Sequence, residues 1–447
     1  MKKMKLVIKF TRDNNETINK LSTILSNISM GRKYSKLKLV YANEAIASHV
    51  KPLLLKILAL VGKSLKELEI SCGNYKSLND IALLLKCFDN VEKVVLSNVH
   101  ADNNELGFDV SEGMVKLKEL LMQDSKSTLL KLFERFTNLH RLKFHLSSRE
   151  SENISYGVRN LENFVLQQSA LKILDISRMN KNLLFHENIF DDRKFKLELI
   201  IANKFFLSEK NATNFFAKQT NLKAIKLYDF CDSRSAGYSN VLRTIFNLPS
   251  LESVGVFNGT INIEDFDNLQ QVHNCSVKHL EYDMWNSTVL EKFIDMFPHL
   301  QKISFRCFTV KLRDVSCEKL SIMNTSGSYC LEEFIYQPSN ITNDQRKFEE
   351  VLKSFVIRNK GIKHFTIGHN NWIENNFGLS LNFWIEALYY LIDMSELVVY
   401  NPLDIKALYM LLARNKNTLK SVTFYTSLTE KQSLGKFEET WLKIVVV

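Results

Sequence analysis

The sequence predicts a right-handed α/β solenoid, in which short parallel strands alternate with helices along one continuous body. Three observations predict this architecture. A short apolar phrase recurs along the chain, and apolar residues between its copies follow the spacing of a helix. Glycine and proline number only 14 and 5 in 447 residues, so no flexible linker divides the chain.

The recurring phrase is an apolar residue, two variable residues, an apolar residue, one variable residue and another apolar residue. This pattern, loosely L-x-x-L-x-L, is typical of leucine-rich repeats. Its last four residues alternate variable and apolar, which predicts a short, half-buried strand. Where consecutive copies are clear, they lie 22 to 32 residues apart. The clear copies begin at Leu65, Val91, Leu117, Leu139, Leu171, Leu222, Leu251, Val277, Leu300, Leu331, Ile362, Met394 and Leu419, and weaker ones at Tyr34, Leu197 and Cys317.

Helices are predicted between the strands. Residues 127–138 place apolar side chains at i, i+3, i+4 and i+7, and residues 289–297 and 344–361 repeat this spacing. Thr342 and Gln345 are spaced as a capping box, and Gly361 as a C-cap. LENFVL, from Leu161, fits either another copy or an inserted hairpin. Helices joining parallel strands place the strands on the concave face of a horseshoe and the helices on its convex face.

Two regions are expected: an N-terminal segment, residues 1–60, and an array of about 13–15 irregular repeats, residues 61–447. One repeat has too few apolar side chains to form a core, so neighbouring repeats must stack. The apolar residues of the phrase are therefore assigned to the core, and function is expected from the variable positions between them.

No catalytic motif is found. The GKS at 62–64 lacks the first glycine of a phosphate-binding loop, because Ile57 stands there, and Gly62 is interpreted as a helix cap. The seven cysteines are scattered and never spaced as C-x-x-C, which argues against a disulfide framework or a zinc site. We therefore expect no enzyme activity, no cofactor and no metal.

The net charge of +10 admits nucleic acid, a membrane or an acidic protein as partner. Lysine and glutamate alternate along the chain, and no block of five like charges occurs, so neither nucleic acid nor a membrane is expected. Lys5 and Lys9 interrupt the N-terminal apolar run, which is too short for a signal peptide. A protein partner and a cytoplasmic or nuclear location are the resulting predictions.

Alternation places the third, fifth and seventh positions of each phrase on the concave face. The copy from Leu139 supplies a basic triplet there, and an acidic cluster follows Val277. Tyr228 and Phe257 occupy seventh positions of consecutive copies, so we expect two exposed aromatic side chains close together, as at binding hot spots. The predicted contact residues are Arg141, Lys143, His145, Lys226, Tyr228, Phe257, His279, Glu281, Asp283, Lys302, Arg306, Tyr400 and Tyr425.

Residues 5–43 resemble the stretch that follows the F-box in insect F-box/leucine-rich-repeat proteins: a strand, a short helix, and the motif Arg32, Lys33 and Tyr34 before the first repeat strand. The resemblance implies the substrate-recognition part of a ubiquitin ligase, which would bind the ligase adaptor only through an F-box upstream. No Leu-Pro pair opens this sequence and its first tryptophan is Trp285, so the F-box itself is expected to be absent.

Two other functions stay open. The chain is alternatively a free-standing leucine-rich-repeat scaffold or inhibitor without a role in ubiquitin transfer. A secreted recognition protein is the third and weaker hypothesis.

Overall fold

The structure is a computed structural model of the 447-residue chain. It describes residues 4–10, 14–29, 33–41, 50–103, 114–146, 154–177, 196–203, 209–228, 239–257, 269, 272–282, 296–306, 332–337, 349–350, 352–353, 356–357, 359–367, 380–391, 393–402, 410, 413, 415, 418–425 and 443–446. The chain forms two compact units, unit 1 (Met1–Leu222) and unit 2 (Lys223–Val447).

Unit 1 contains a parallel sheet in which each strand pairs with the next copy of the repeat. A smaller parallel pair lies after two of these strands. The main strands are β1 (Lys5–Lys9), β2 (Lys36–Val40), β3 (Glu67–Ser71), β5 (Lys93–Ser97), β7 (Glu119–Ser125), β8 (Arg141–Leu146), β9 (Ile173–Ile176) and β10 (Leu199–Asn203). The small pair is β4 (Asn74–Ser77) with β6 (His100–Asn103).

The described residues of unit 1 also form five helices and a 3-10 helix. The helices are α1 (Asn14–Ser29), α2 (Lys51–Gly62), α3 (Leu78–Leu85), α4 (Ile154–Gln167) and α5 (Glu209–Ala217), and the 3-10 helix is Ser127–Phe133. Among the described residues, no helix is long and apolar enough to cross a membrane.

Unit 2 repeats the arrangement. Its parallel strands are β11 (Ala224–Tyr228), β12 (Ser253–Phe257), β13 (His279–Tyr282), β14 (Lys302–Arg306), β15 (Glu333–Gln337), β16 (His364–Ile367), β17 (Glu396–Pro402), β18 (Ser421–Tyr425) and β19 (Lys443–Val446). Two of its helices are α6 (Ser239–Phe246) and α7 (Leu381–Leu388).

The strands pair in register, so equivalent positions of successive phrases become neighbours. Leu37 lies opposite Leu68, which lies opposite Val94, and all three side chains are fully buried. Val254 and Leu280 form the same kind of row in unit 2. Burial alternates along β2, β5 and β11, as the phrase predicts. The chain is therefore an α/β leucine-rich-repeat solenoid, with its core under the fourth and sixth positions.

Two helical predictions need correction. The helix expected at 127–138 is a 3-10 helix, Ser127–Phe133. The copies from Leu117 and Leu139 are the closest of the clear copies, and a 3-10 helix covers more distance per residue, about 2.0 Å against 1.5 Å. The segment from Leu161 is neither a strand copy nor a hairpin, because it lies in α4 and buries residues at helical spacing.

Other expected elements lie partly beyond the described residues. Residues 349–350, 352–353 and 356–357 are helical, as predicted for 344–361. The capping pair Thr342 and Gln345, most of 289–297 and the weak copy at Cys317 lie outside the described residues. The weak copies at Tyr34 and Leu197 lead into β2 and β10, which confirms them as strands.

Gly62 does not act as the predicted cap. It is the last residue of α2, and the cap is Lys63 in a right-handed conformation with φ −62°. A Cβ added to Gly62 would lie 2.0 Å from the carbonyl oxygen of Cys87. The glycine is therefore required for the close approach of α2 to the backbone after α3.

Candidate partner-binding surface

The third, fifth and seventh positions of the phrase form one surface on each unit, which we call the open face. In unit 1, the third positions form a row that mostly alternates in charge. In chain order this row is Lys5, Lys36, Glu67, Lys93, Glu119 and Arg141. In-register pairing brings opposite charges on adjacent strands together.

Ion pairs occupy most of this row. Glu67 Oε1 lies 2.8 Å from Lys36 Nζ and 3.2 Å from Lys93 Nζ, and Arg141 lies 3.9 Å from the carboxylate of Glu119. Burial alone would raise the pKa of Glu67, but its hydrogen bonds with the two lysines outweigh that effect and lower it. Much of the positive charge of the strands is thus balanced within the sheet.

The predicted basic triplet is not an exposed basic surface. Arg141 is partly paired as described, and Lys143 Nζ lies 3.6 Å from Asp175 Oδ2 on the next strand. The prediction that His145 is exposed is wrong, because only 4% of the residue is accessible. Its Nε2 lies 3.5 Å from Asp175 Oδ1 and 3.3 Å from Ser177 Oγ.

These four side chains, Lys143, His145, Asp175 and Ser177, form what we call the Asp175 cluster. The Ser177 hydroxyl donates to Asp175 Oδ1 at 2.8 Å, and the Ser177 backbone N–H donates to the same oxygen at 3.2 Å. Burial alone would raise the pKa of Asp175, but hydrogen bonds from His145 and Ser177 lower it to about 2. A buried ionised carboxylate is stable here because donors surround it.

The Asp175 cluster contains serine, histidine and aspartate without the geometry of a catalytic triad. In a triad, the carboxylate and the hydroxyl contact opposite nitrogens of the imidazole. Here Asp175 and Ser177 both contact Nε2 of His145, and the hydroxyl donates directly to the carboxylate. The cluster therefore acts as a buried polar contact between β8 and β9, and His145 activates no nucleophile.

On unit 2, Lys226 and Glu281 form an ion pair that crosses a strand. Lys226 Nζ lies 2.7 Å and 2.8 Å from the two carboxylate oxygens of Glu281, although β12 lies between their strands. Gly255 is the residue of β12 between them and has no side chain to interrupt the contact. Both charged side chains are mostly buried, with 26% and 14% accessible.

Tyr228 and Phe257 stack beside this ion pair. Their ring centroids are 4.6 Å apart and their planes differ by 20°, so the predicted proximity is confirmed. The expected exposure of Phe257 is wrong, because only 1% of the residue is accessible, whereas Tyr228 is half-buried. A Cβ on Gly255 would lie 2.9 Å from the Phe257 ring, so the ring bends into the space left by the glycine.

We call this group, Lys226, Tyr228, Gly255, Phe257 and Glu281, the Tyr228 cluster. In this cluster the Phe257 ring stacks on the Tyr228 ring, and the ion pair with Glu281 fixes the ammonium group of Lys226. A partly accessible aromatic side chain on a rigid base loses little conformational entropy when it contacts a partner. Tyr228 is therefore an accessible aromatic side chain on a buried base.

The next strands of unit 2 carry paired charges. Lys302 Nζ lies 2.6 Å from Glu333, and His364 Nδ1 lies 3.1 Å from Glu396. His279 is exposed on its strand, and its partial desolvation, followed by the positive charge of Lys302, lowers its pKa. His279 is therefore neutral at physiological pH and adds no positive charge to the open face.

Four predicted contact residues are not fully placed. Asp283 lies outside the described residues. Arg306, Tyr400 and Tyr425 lie at the predicted strand positions of β14, β17 and β18, and their side chains are outside the described part. Within the described residues, no group of three or more histidine, cysteine, aspartate or glutamate side chains could hold a metal ion.

Sequence reasoning missed the residues that complete these clusters. Asp175 and Ser177 belong to the copy from Leu171, and Gly255 belongs to the copy from Leu251. Glu67 and Glu333 were likewise not recognised as partners of lysines. The signal was available in the phrase, because aligning consecutive copies places Asp175 opposite Lys143 and Gly255 between Lys226 and Glu281.

Fold and surface together define a leucine-rich-repeat solenoid with an open strand face. No protein-family model matches the chain, and no curated protein matches it either. Among solved structures, it is similar to the leucine-rich repeat-containing protein LegL7 from Legionella pneumophila, with 13% identity and a TM-score of 0.37. The alignment covers 93% of this chain and 98% of that one. The fold assignment therefore rests on the chain's own phrase and strand pairing.

The Asp175 cluster predicts a pH-dependent stability. The pKa of Asp175 is lowered from 3.8 to about 2, so ionised Asp175 stabilises the fold above pH ~4, and this contribution disappears as the pH falls through ~2. We expect Asp175→Asn to lower the free energy of unfolding by about 1–2 kcal/mol at pH 7, and this difference to shrink between about pH 4 and 2. Urea unfolding of both proteins across this range measures it.

The control is Glu92→Gln, which removes an exposed ion pair with Lys66 at 2.6 Å and should change stability by about 0.5 kcal/mol or less. An Asp175→Asn difference that stayed constant from neutral to acidic pH would contradict the role assigned to the ionised carboxylate.

Proposed function

We propose that this chain is a protein-binding module that holds a partner on the open face of its strands, with the Tyr228 cluster as the main contact of unit 2. The observation that carries the proposal is the stack of a half-buried tyrosine on a buried phenylalanine beside a fixed lysine–glutamate pair. Tyrosine is enriched at hot spots because it offers a large contact area and a hydroxyl group.

Several of the predicted contact residues take supporting roles in this proposal. Lys226 and Glu281 orient each other, so a partner meets a fixed pattern of charge. Arg141 on β8 and Lys302 on β14 contribute charge as members of ion pairs with Glu119 and Glu333. His145 and Phe257 act from below the surface, because each is buried and positions a neighbour. Binding through such a surface requires no cofactor and no catalytic step.

The more specific proposal is that the module recognises substrates for a ubiquitin ligase of the F-box type, in the cytoplasm or nucleus. Its support is the resemblance of residues 5–43 to the segment after an F-box. In the structure these residues contribute strands β1 and β2 with α1 between them. A scaffold or inhibitor that binds through the same open face without the ligase is the alternative function.

The binding proposal predicts different effects for the two stacked rings. Tyr228→Ala should weaken capture of the partner about tenfold or more and leave the fold intact, because the ring is half-buried. Phe257→Ala should instead destabilise unit 2 by about 3–5 kcal/mol, since it removes a buried aromatic side chain. Quantitative affinity purification with the full chain, together with urea unfolding, separates the two effects.

Tyr389→Ala is the matched control, because Tyr389 lies just after α7 and is 57% accessible. Its loss should leave capture unchanged. If the Tyr228→Ala protein recovered every partner as well as the unaltered chain does, the assignment of the open face of unit 2 would be wrong.

The ligase proposal has its own test. Affinity purification of the longest natural form of the protein should recover the adaptor subunit of a cullin-type ligase, and the adaptor should be recovered equally with Tyr228→Ala. Reproducible absence of the adaptor, with partners still captured, would exclude the ligase role and favour the scaffold or inhibitor.

A further inference from the structure

Strand β1 is the first described strand of the sheet of unit 1. Among the described residues, it pairs with β2 alone. The N–H of Phe10 donates to the Val40 carbonyl at 2.9 Å, and the Met4 carbonyl accepts from the Ser35 N–H at 3.0 Å. In a parallel pair, alternate residues point their backbone groups to opposite sides. The N–H and C=O groups of Lys5, Val7 and Lys9 therefore point away from β2.

A groove lies along this edge. Its volume is about 560 Å³, and it is bounded by Val7, Ile8 and Lys9 of β1 and by residues of α1 that include Thr23 and Ile24. Val7 is 39% accessible, a large exposure for a valine in a strand. The other lining residues are polar: Glu16, whose carboxylate is paired with Lys20, and Thr17 and Asn19. A strand edge beside a groove is the arrangement to which an extended peptide adds by backbone hydrogen bonds.

At this edge two lysines of the row are neighbours, in contrast to the alternation of charge in the rest of the described row. Lys5 lies directly opposite Lys36, whose ammonium group already contacts Glu67 and Glu69 at 2.8 Å and 3.7 Å. Within the described part of the chain, no carboxylate lies within ion-pair distance of Lys5 or Lys9, and both side chains are exposed. Like charges on adjacent strands are unfavourable, and a carboxylate on the outer side would restore the alternation.

We propose that β1 and the groove beside α1 bind one extended acidic segment of a partner protein by strand addition. The backbone of the segment pairs with Lys5, Val7 and Lys9. Two carboxylates four positions apart lie against Lys5 and Lys9, and an apolar residue midway between them packs on Val7. This site is separate from the Tyr228 cluster, so either proposal can fail without the other.

The test uses the full chain and a short fluorescent peptide with two glutamates four positions apart and β-branched apolar residues between them. The peptide should bind in fluorescence anisotropy, more weakly at high salt. The combined variant Lys5→Glu and Lys9→Glu should weaken binding at least about tenfold, since both ion pairs become repulsive. A peptide with lysines in place of the glutamates should bind the unaltered chain at least as weakly as the glutamate peptide binds the combined variant. This comparison tests the charge requirement without altering the protein.

Val7→Pro tests the backbone pairing. Proline removes the N–H of Val7, which points outward, so the hydrogen bonds between β1 and β2 should remain while peptide binding falls at least about tenfold. Val7→Ile keeps both the N–H and an apolar β-branched side chain, so it should retain much more of the peptide binding than Val7→Pro does. Circular dichroism establishes that the variants are folded.

Three results would overturn the proposal. They are absence of binding by the glutamate peptide, equal binding by the lysine peptide, and full binding by a folded Val7→Pro chain. Sedimentation equilibrium adds a fourth: a dimer that dissociates on Val7→Pro would show that a second copy of this chain occupies the edge instead.

Discussion

In-register pairing of parallel strands is the constraint on which the rest of this structure depends. Each phrase of the repeat places its fourth and sixth residues in the core, and the core row from Leu37 through Leu68 to Val94 aligns the strands. Once that alignment is set, third, fifth and seventh positions of successive copies become neighbours on the open face. The chemistry of this face is therefore decided by pairs of residues about one repeat apart.

Most of the charged pairs created in this way neutralise one another. The described strands of unit 1 carry an alternating row in which Glu67 contacts two lysines, and unit 2 pairs Lys302 with Glu333. The surface becomes distinctive where the pattern is interrupted. Gly255 allows the ion pair of Lys226 and Glu281 to cross a strand, and it leaves room for the Phe257 ring. At the edge of unit 1, Lys5 lies opposite Lys36, so the alternation of charge stops there among the described strands.

The sequence predicted the repeat, the strands and, in strands such as β2, β5 and β11, the alternation of buried and accessible residues. It placed Tyr228 and Phe257 together correctly, because both occupy the seventh position of consecutive copies. It was wrong about the exposure of Phe257 and His145, since exposure also depends on the side chains next to each residue. A glycine on the same strand makes room for the phenylalanine, and an aspartate on the next strand draws the histidine inward. The glycine stands in the same copy as the phenylalanine, whereas the contact of the aspartate with the histidine can be predicted only when consecutive copies are aligned.

The central claim is that strand register places Lys226 and Glu281 in contact across Gly255. A charge swap tests it most directly, by urea unfolding of Lys226→Glu, Glu281→Lys and the combined variant. Each single reversal places two like charges together, and each should cost about 1–3 kcal/mol of unfolding free energy. The combined variant restores an ion pair and should recover at least about half of the summed loss. Losses that simply add in the combined variant would contradict the register and the binding surface built on it.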